Sequence, residues 1–119
     1  MEGAKYDEGK PDYLLLDPTF LEGIVKIREY GVAKYKDPES WKAVPDGTKR
    51  YKQALARHFI AWLGGEELDK ESGLPHIDHM ACNIMFIKYL QKEPALISYK
   101  NPWTPQKMAN IFKAREIEV

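Results

Sequence analysis

Apolar positions in this chain recur every three to four residues, the spacing of a helix face rather than of a strand. Phe20, Leu21, Ile24, Val25 and Ile27 form one broad stripe. Asp17 stands where a cap is needed, Pro18 falls in the first turn and Gly31 sits at the far end, so a first helix is expected over 17–31. A second is expected from about Asp46 to Leu63, with Tyr51, Leu55, His58 and Trp62 sharing a face and Gly64-Gly65 as the stop. The third has Pro75 in its first turn, Ser72 or Gly73 just before, and runs to about Gln91. It is apolar nearly all round, through Ile77, Met80, Ala81, Ile84, Met85, Phe86, Ile87 and Leu90, which marks a helix covered by neighbours or by a second subunit. A fourth begins at Thr104-Pro105 and carries Met108, Ile111 and Phe112 on one side. Nothing alternates with period two for long. The expected fold is all-α, a small bundle of about four helices.

The segments between these stripes are rich in breakers. The first seventeen residues, with Gly9 and Pro11 as breakers and Pro18 just beyond them, read as an extended arm. "VAKYKDPESWKAVPDG" reads as a loop with room for one helical turn, and a loop this long is uncommon unless it is a lid or a binding element. Its Tyr35 and Trp41 either offer a stacking surface or pin the loop to the body.

Composition narrows the classes. The 119 residues suit one domain, 1–119, with an ordinary 44% hydrophobic and 30% charged content. Eighteen basic and eighteen acidic residues cancel, so no global field favours a nucleic acid polymer or an anionic membrane. A phosphate-bearing ligand would therefore need a local basic group or a bound metal. One cysteine, Cys82, precludes an internal disulfide and fits a reducing compartment. No stretch approaches the ~20 apolar residues of a membrane span, and the N-terminus lacks the apolar core of a signal peptide. A soluble, cytoplasmic protein is expected.

The chemistry concentrates in "GGEELDKESGLPHIDHMACN", residues 64–83. At ~100° per residue, His76, His79, Met80 and Asn83 continue the stripe of Phe86, Ile87 and Leu90 on the third helix. A polar patch that prolongs a core stripe points to a network or a site. With two helices antiparallel across a nine-residue connection, His58 would approach that patch, fringed by Glu66, Asp69 and Glu71. Three accounts stay open. Carboxylates can hold Mg2+ or Mn2+ that bridge ligand phosphates. His76 and His79 with a carboxylate can bind zinc, although the acid of the His-Glu-x-x-His pattern and a cysteine pair are both absent. Or the histidines simply hydrogen-bond the loop and the acids are solvated. Lys5, Asp7 and Lys10 on the arm can reach a phosphate or be ordinary surface residues, and Arg57 can meet a phosphate or an acid.

Taken in order, "KYDEGKPDYLLL", "YGVAKYKDPESW" and "RYKQALARHFIAWLGGEELDKESGLPHIDHMACNIMFI" resemble the dATP/dGTP diphosphohydrolase N-terminal domain family of phages and bacteria, over roughly residues 5 to 90. Members are similar to all-α, MazG-like nucleoside triphosphate pyrophosphohydrolases. The resemblance implies cleavage of a purine deoxynucleoside triphosphate between its α and β phosphates, a requirement for Mg2+ or Mn2+, and a homodimer or larger assembly. It also implies a role in editing the nucleotide pool of a phage-infected cell. It carries over to Asp7, Lys10, Lys34, Tyr35, Trp41, Arg57, His58, Glu66, Asp69, Glu71, Ser72, His76, His79 and Asn83. Two departures stand out. His76 and His79 occupy the place where the wider superfamily has a second acidic pair, and Ser40 precedes Trp41 where asparagine is expected.

On this reading Glu66, Asp69 and Glu71, with Asp78, hold the cations. His58 or His79 positions or deprotonates the attacking water, and Glu66 belongs to the catalytic set. Tyr35 and Trp41 stack on the base, Asn83 reads its edge, and Asp7, Lys10, Lys34, Arg57 and His76 complete the substrate contacts. The histidine-for-acid departure also supports a rival expectation, a protein that binds a nucleotide without hydrolysing it.

Overall fold

The computed structural model describes residues 2–91 and 105–118, with side chains on the last helix described only in part. Four α-helices are present among the described residues: α1 (Pro18–Tyr35), α2 (Gly47–Leu63), α3 (His76–Leu90) and α4 (Pro105–Glu118). The one sheet-like feature among them is an isolated antiparallel bridge between Leu68 and Pro75. The all-α expectation holds.

Residues 16–91 form one unit, built on α1, α2 and α3. Asp17 caps α1 by accepting from the Thr19 N–H at 3.2 Å, as its position predicted. The helix does not stop at Gly31. It continues through Val32–Tyr35 and closes on Lys36, whose left-handed backbone returns its N–H to the Val32 carbonyl at 2.8 Å. A single glycine inside a helix costs only about 1 kcal/mol, and the extra turn is held from outside, where Lys34 meets Glu71 at 2.6 Å. The remaining loop folds one short 3-10 turn, Ser40–Ala43.

Helix α2 ends at Gly64 as expected, and its first residue, Gly47, is buried. A side chain there would press on Leu90 at 2.9 Å, so the missing Cβ is what lets the start of α2 approach the end of α3. Helix α3 packs most extensively on α2 and next on α1, with the Ser40–Ala43 turn against both α2 and α3. Its buried side is His76, His79, Cys82, Asn83, Phe86 and Ile87. The apolar half of that side joins Ile27, with Ile24, Trp41, Tyr51 and Leu74 packed around it. Trp41 stacks on Phe86 at 4.3 Å and 16°, and its carbonyl accepts the Tyr51 hydroxyl at 2.7 Å. Trp41 therefore pins the loop to the body. The opposite side of α3 stays open to solvent, with Ile77 and Ile84 more than half exposed.

Residues 2–15 and 105–118 group in a second unit. Asp7 and Lys10 sit in an exposed turn where the Lys10 N–H reaches the Asp7 carbonyl at 3.1 Å, followed by a 3-10 turn at Tyr13–Leu15. In α4, Gln106 donates to Asn110 at 3.0 Å. The Thr104 cap and the Phe112 side chain, both named from sequence, lie outside the described residues. No helix among the described residues is long and apolar enough to cross a membrane.

Candidate functional site

Two helices and the link between them deliver the ionisable side chains to one place. Near the end of α2, His58 faces inward, while His76 and His79 stand on successive turns at the start of α3. The link 64–75 is folded tightly enough to aim its acids. The Asp69 N–H reaches the Leu74 carbonyl at 2.8 Å, the His76 N–H reaches Glu67 at 2.9 Å, and Gly73 adopts the left-handed backbone (φ 72°) that turns the chain back. Asp69 accepts from the Ser72 N–H at 2.8 Å, which orients its carboxylate.

The three imidazoles form a connected set. His58 Nδ1 lies 2.8 Å from His76 Nδ1, and the Nε2 of His76 lies 2.9 Å from Glu66 Oε1. A carboxylate oxygen accepts, so His76 donates through Nε2. His79 Nε2 lies 2.7 Å from the Ser72 hydroxyl, which also accepts the Leu74 N–H at 3.1 Å. The rings of His58 and His79 stack at 4.3 Å and 5°. Asp69 stands between them, 4.0 Å from His58 Nδ1 and 3.9 Å from His79 Nε2. Among the described residues every buried side-chain nitrogen or oxygen has a partner.

Burial, reinforced by the neighbouring His79, pushes His58 down to about 4 against the opposing pull of Asp69. Burial lowers His79 as well, again opposed by Asp69. Both rings are neutral at neutral pH. Burial acts to raise the Asp69 carboxyl, but the Ser72 N–H and hydroxyl, with His79 and His58, outweigh it and hold the group below its ordinary value. Cys82, beneath the cluster and 2% exposed, is pushed up to about 11 by burial, so it is no nucleophile.

The cluster forms one end of a cleft of about 640 Å3 between α1, α2, α3 and the 36–46 loop. Cations line its walls. Lys34 is held by Glu71, whose hydrogen bond raises the lysine and lowers the acid. Tyr30 is raised, first by burial and then by its own hydrogen bond to Glu71. Arg28 donates to the Pro38 carbonyl at 2.5 Å and lies over Phe86, 5.3 Å from the ring centroid. Arg50 and Arg57 also line the cleft, and neither pairs with a carboxylate among the described residues. A second depression, along α2 from Asp46 to Ala56, carries no imidazole.

Of the residues named from sequence, Lys34, Tyr35, Trp41, Arg57, His58, Asp69, Glu71, His79 and Asn83 line this cleft. His76 and Glu66 lie behind it, joined to each other. Asn83 donates to the His79 carbonyl at 3.0 Å. The four carboxylates named for cations are not gathered into one set: Glu66 serves His76, Glu71 serves Lys34, and Asp78 sits against Gly23 at the α1–α3 contact. Asp7 and Lys10 belong to the other unit. The donors that do converge, each within 4.8 Å of the others, are His58, Asp69 and His76. The sequence reading missed Arg28, Tyr30 and Arg50. Continuing α1 past Gly31 brings Lys34 onto the face of Ile27, Tyr30 and Gly31, an alignment that ending the helix at Gly31 hid, whereas nothing local marked Arg28. Arg50, Gln53, Ala54 and Arg57 carry the same i, i+3, i+4, i+7 signature on α2.

Comparison with known proteins agrees with the family resemblance. The family model described as dATP/dGTP diphosphohydrolase, N-terminal, matches residues 1–99. A protein named dATP/dGTP diphosphohydrolase from Salmonella phage PMBT28 is 33% identical over 90 residues. The match covers 76% of this chain and 30% of that relative's length. No solved structure matches.

Proposed function

The chain belongs to the dATP/dGTP diphosphohydrolase N-terminal family, and from that membership we propose that it binds a purine deoxynucleoside triphosphate in the cleft and hydrolyses it to the monophosphate and pyrophosphate. One observation carries the reading: Arg28, Lys34, Arg50 and Arg57 share a single cleft with neutral imidazoles. A chain of zero net charge has no overall attraction for a polyanion, so local cations must supply it. Guanidinium groups suit phosphate oxygens because they stay charged and offer several donors in a plane.

In this mechanism a water attacks the α phosphorus in line and the bond to the bridging oxygen of pyrophosphate breaks. Charge that builds on the leaving pyrophosphate is met by Arg57 and Arg50. His79 takes the water's proton: its Nε2 is engaged by Ser72, itself bonded to Asp69, which leaves Nδ1 as the acceptor. The exposed ring of Tyr35 offers a face for the base, and the Asn83 carbonyl oxygen an edge contact. Trp41 contributes by holding the loop in place. The family pattern also implies Mg2+ or Mn2+, but the four carboxylates named for such an ion are not assembled, and no step here passes through a cation on them. Pool editing in a phage-infected cell and assembly into a homodimer or larger oligomer belong to the same proposal. Assembly is supported by exposed Ile60 and Leu63 on α2 and Ile77 and Ile84 on α3.

A second reading, a binder that leaves the nucleotide intact, is favoured by one fact: Glu66, Asp69 and Glu71 each already have a protein partner. Incubating the protein with each deoxynucleoside triphosphate, with and without Mn2+, and separating the products decides between them. Monophosphate and pyrophosphate from dATP or dGTP are expected. Intact nucleotide with metal-independent thermal stabilisation supports the binder, and neither product nor stabilisation overturns both.

A further inference from the structure

We propose that His58, His76 and Asp69 form a binding site for a single first-row transition cation of the Mn2+, Co2+ or Zn2+ class, in preference to Mg2+. Their donor atoms come from three separate segments, α2, α3 and the link between them, and all lie within 4.8 Å of one another. Two ligands on opposite sides of one ion stand ~4.2 Å apart when each bond is ~2.1 Å. That is the widest separation one ion allows; around a tetrahedral ion the ligands stand ~3.4 Å apart, so side-chain adjustments of about 1 Å close the set. The two Nδ1 atoms, 2.8 Å apart, both reach such an ion at close to a right angle. Without a cation one proton must lie between those nitrogens; a cation takes its place.

The surroundings are those of a metal ligand set. A ligating histidine ordinarily donates its other ring N–H to a carboxylate, which fixes the tautomer and strengthens the donor. His76, only 2% exposed, does so through Nε2 to Glu66 at 2.9 Å. Asp69 has one oxygen held by the Ser72 N–H, while the other faces His58. Two imidazoles with one carboxylate select a borderline transition cation, whereas Mg2+ requires an oxygen cage and gives up its water reluctantly. The site deepens the hydrolase reading, since it would place a divalent charge at the imidazole end of the triphosphate cleft. It stands on its own donors whether or not the nucleotide is cleaved.

The test is titration of the chelator-stripped full chain with Co2+, read by visible absorption, with Mg2+ and Zn2+ as competitors. Saturation at one Co2+ per chain is expected, displaced by Zn2+ and indifferent to a large excess of Mg2+. His58→Ala and Asp69→Asn, both at partly exposed positions, should each weaken binding at least tenfold while circular dichroism stays unchanged. Glu66→Gln, acting through His76, should weaken it about 10-fold or more. Asp78→Asn should bind as the unaltered chain does. Absence of a saturable cobalt spectrum, displacement by equimolar Mg2+, or unaltered binding in both His58→Ala and Asp69→Asn overturns the proposal. Product analysis on the same samples keeps the two ideas separable: turnover with Mg2+ and no cobalt site sinks this inference alone, and a cobalt site without product sinks hydrolysis alone.

Discussion

The rings of His58 and His79 lie face to face, 4.3 Å apart and 5° from parallel, so that protonating one places a positive charge on the π face and edge nitrogens of the other. This stack, formed between α2 and α3, ties the packing of the two helices to the charge state of the site.

Stability should therefore fall on acidification. The unfolded imidazole titrates near 6.5 and folded His58 near 4, so between these values the unfolded chain binds the extra proton and stability rises with pH. His79 shifts in the same direction. The full contribution is present above about pH 6.5 and is lost as pH drops towards 4, at up to ~1.4 kcal/mol per pH unit for each such group. Denaturant unfolding from pH 8 to pH 4 checks this, and His58→Gln should flatten the slope. A pH-independent midpoint across that range would contradict it.

Lys34 and Glu71 form a surface-facing pair, and such pairs contribute at most about 1 kcal/mol. Lys34→Ala should hardly change the unfolding midpoint, yet raise the KM for a triphosphate at least tenfold if the lysine serves substrate. An unchanged KM would reduce the pair to a structural clasp.

Arg50 and Arg57 lie on one stripe of α2 without acidic partners among the described residues. Replacing either by alanine should weaken a triphosphate more than a monophosphate, with a shallower dependence on salt. Equal losses for both ligands, measured by calorimetry, would show that they do not read the phosphate chain.

Trp41 is a packing residue before it is anything else. Trp41→Ala should cost on the order of 3 kcal/mol, because it removes the Phe86 stack and frees the 36–46 loop. Tyr51→Phe, which removes only the hydrogen bond to the Trp41 carbonyl, should cost about 1 kcal/mol. Thermal unfolding of both variants checks the ranking.

Much of the framework was legible locally. Asp17-Pro18, Asp46-Gly47, Gly64-Gly65 and Pro75 mark helix boundaries through the conformational limits of proline and glycine and, at Asp17 alone, the capping chemistry of aspartate, none of which depends on distant residues. Gly31 misled for the opposite reason. Its helix-breaking tendency is about 1 kcal/mol, and the Lys34–Glu71 contact, 37 residues apart in sequence, holds the turn beyond it.

By itself, then, the amino-acid order determined the four helices, the polar start of the α3 stripe and the gathering of histidines and acids between Gly64 and Asn83. Only tertiary structure decided which of those groups face one another. It set Glu66 behind His76, gave Glu71 to Lys34, placed Asp78 against Gly23, and brought Arg28, Tyr30 and Arg50 to the cleft. The physical reason is reach. Backbone preference and helical period act within a few residues, whereas charge pairing and imidazole hydrogen bonds depend on distances of 3–4 Å that exist only once α2 and α3 pack.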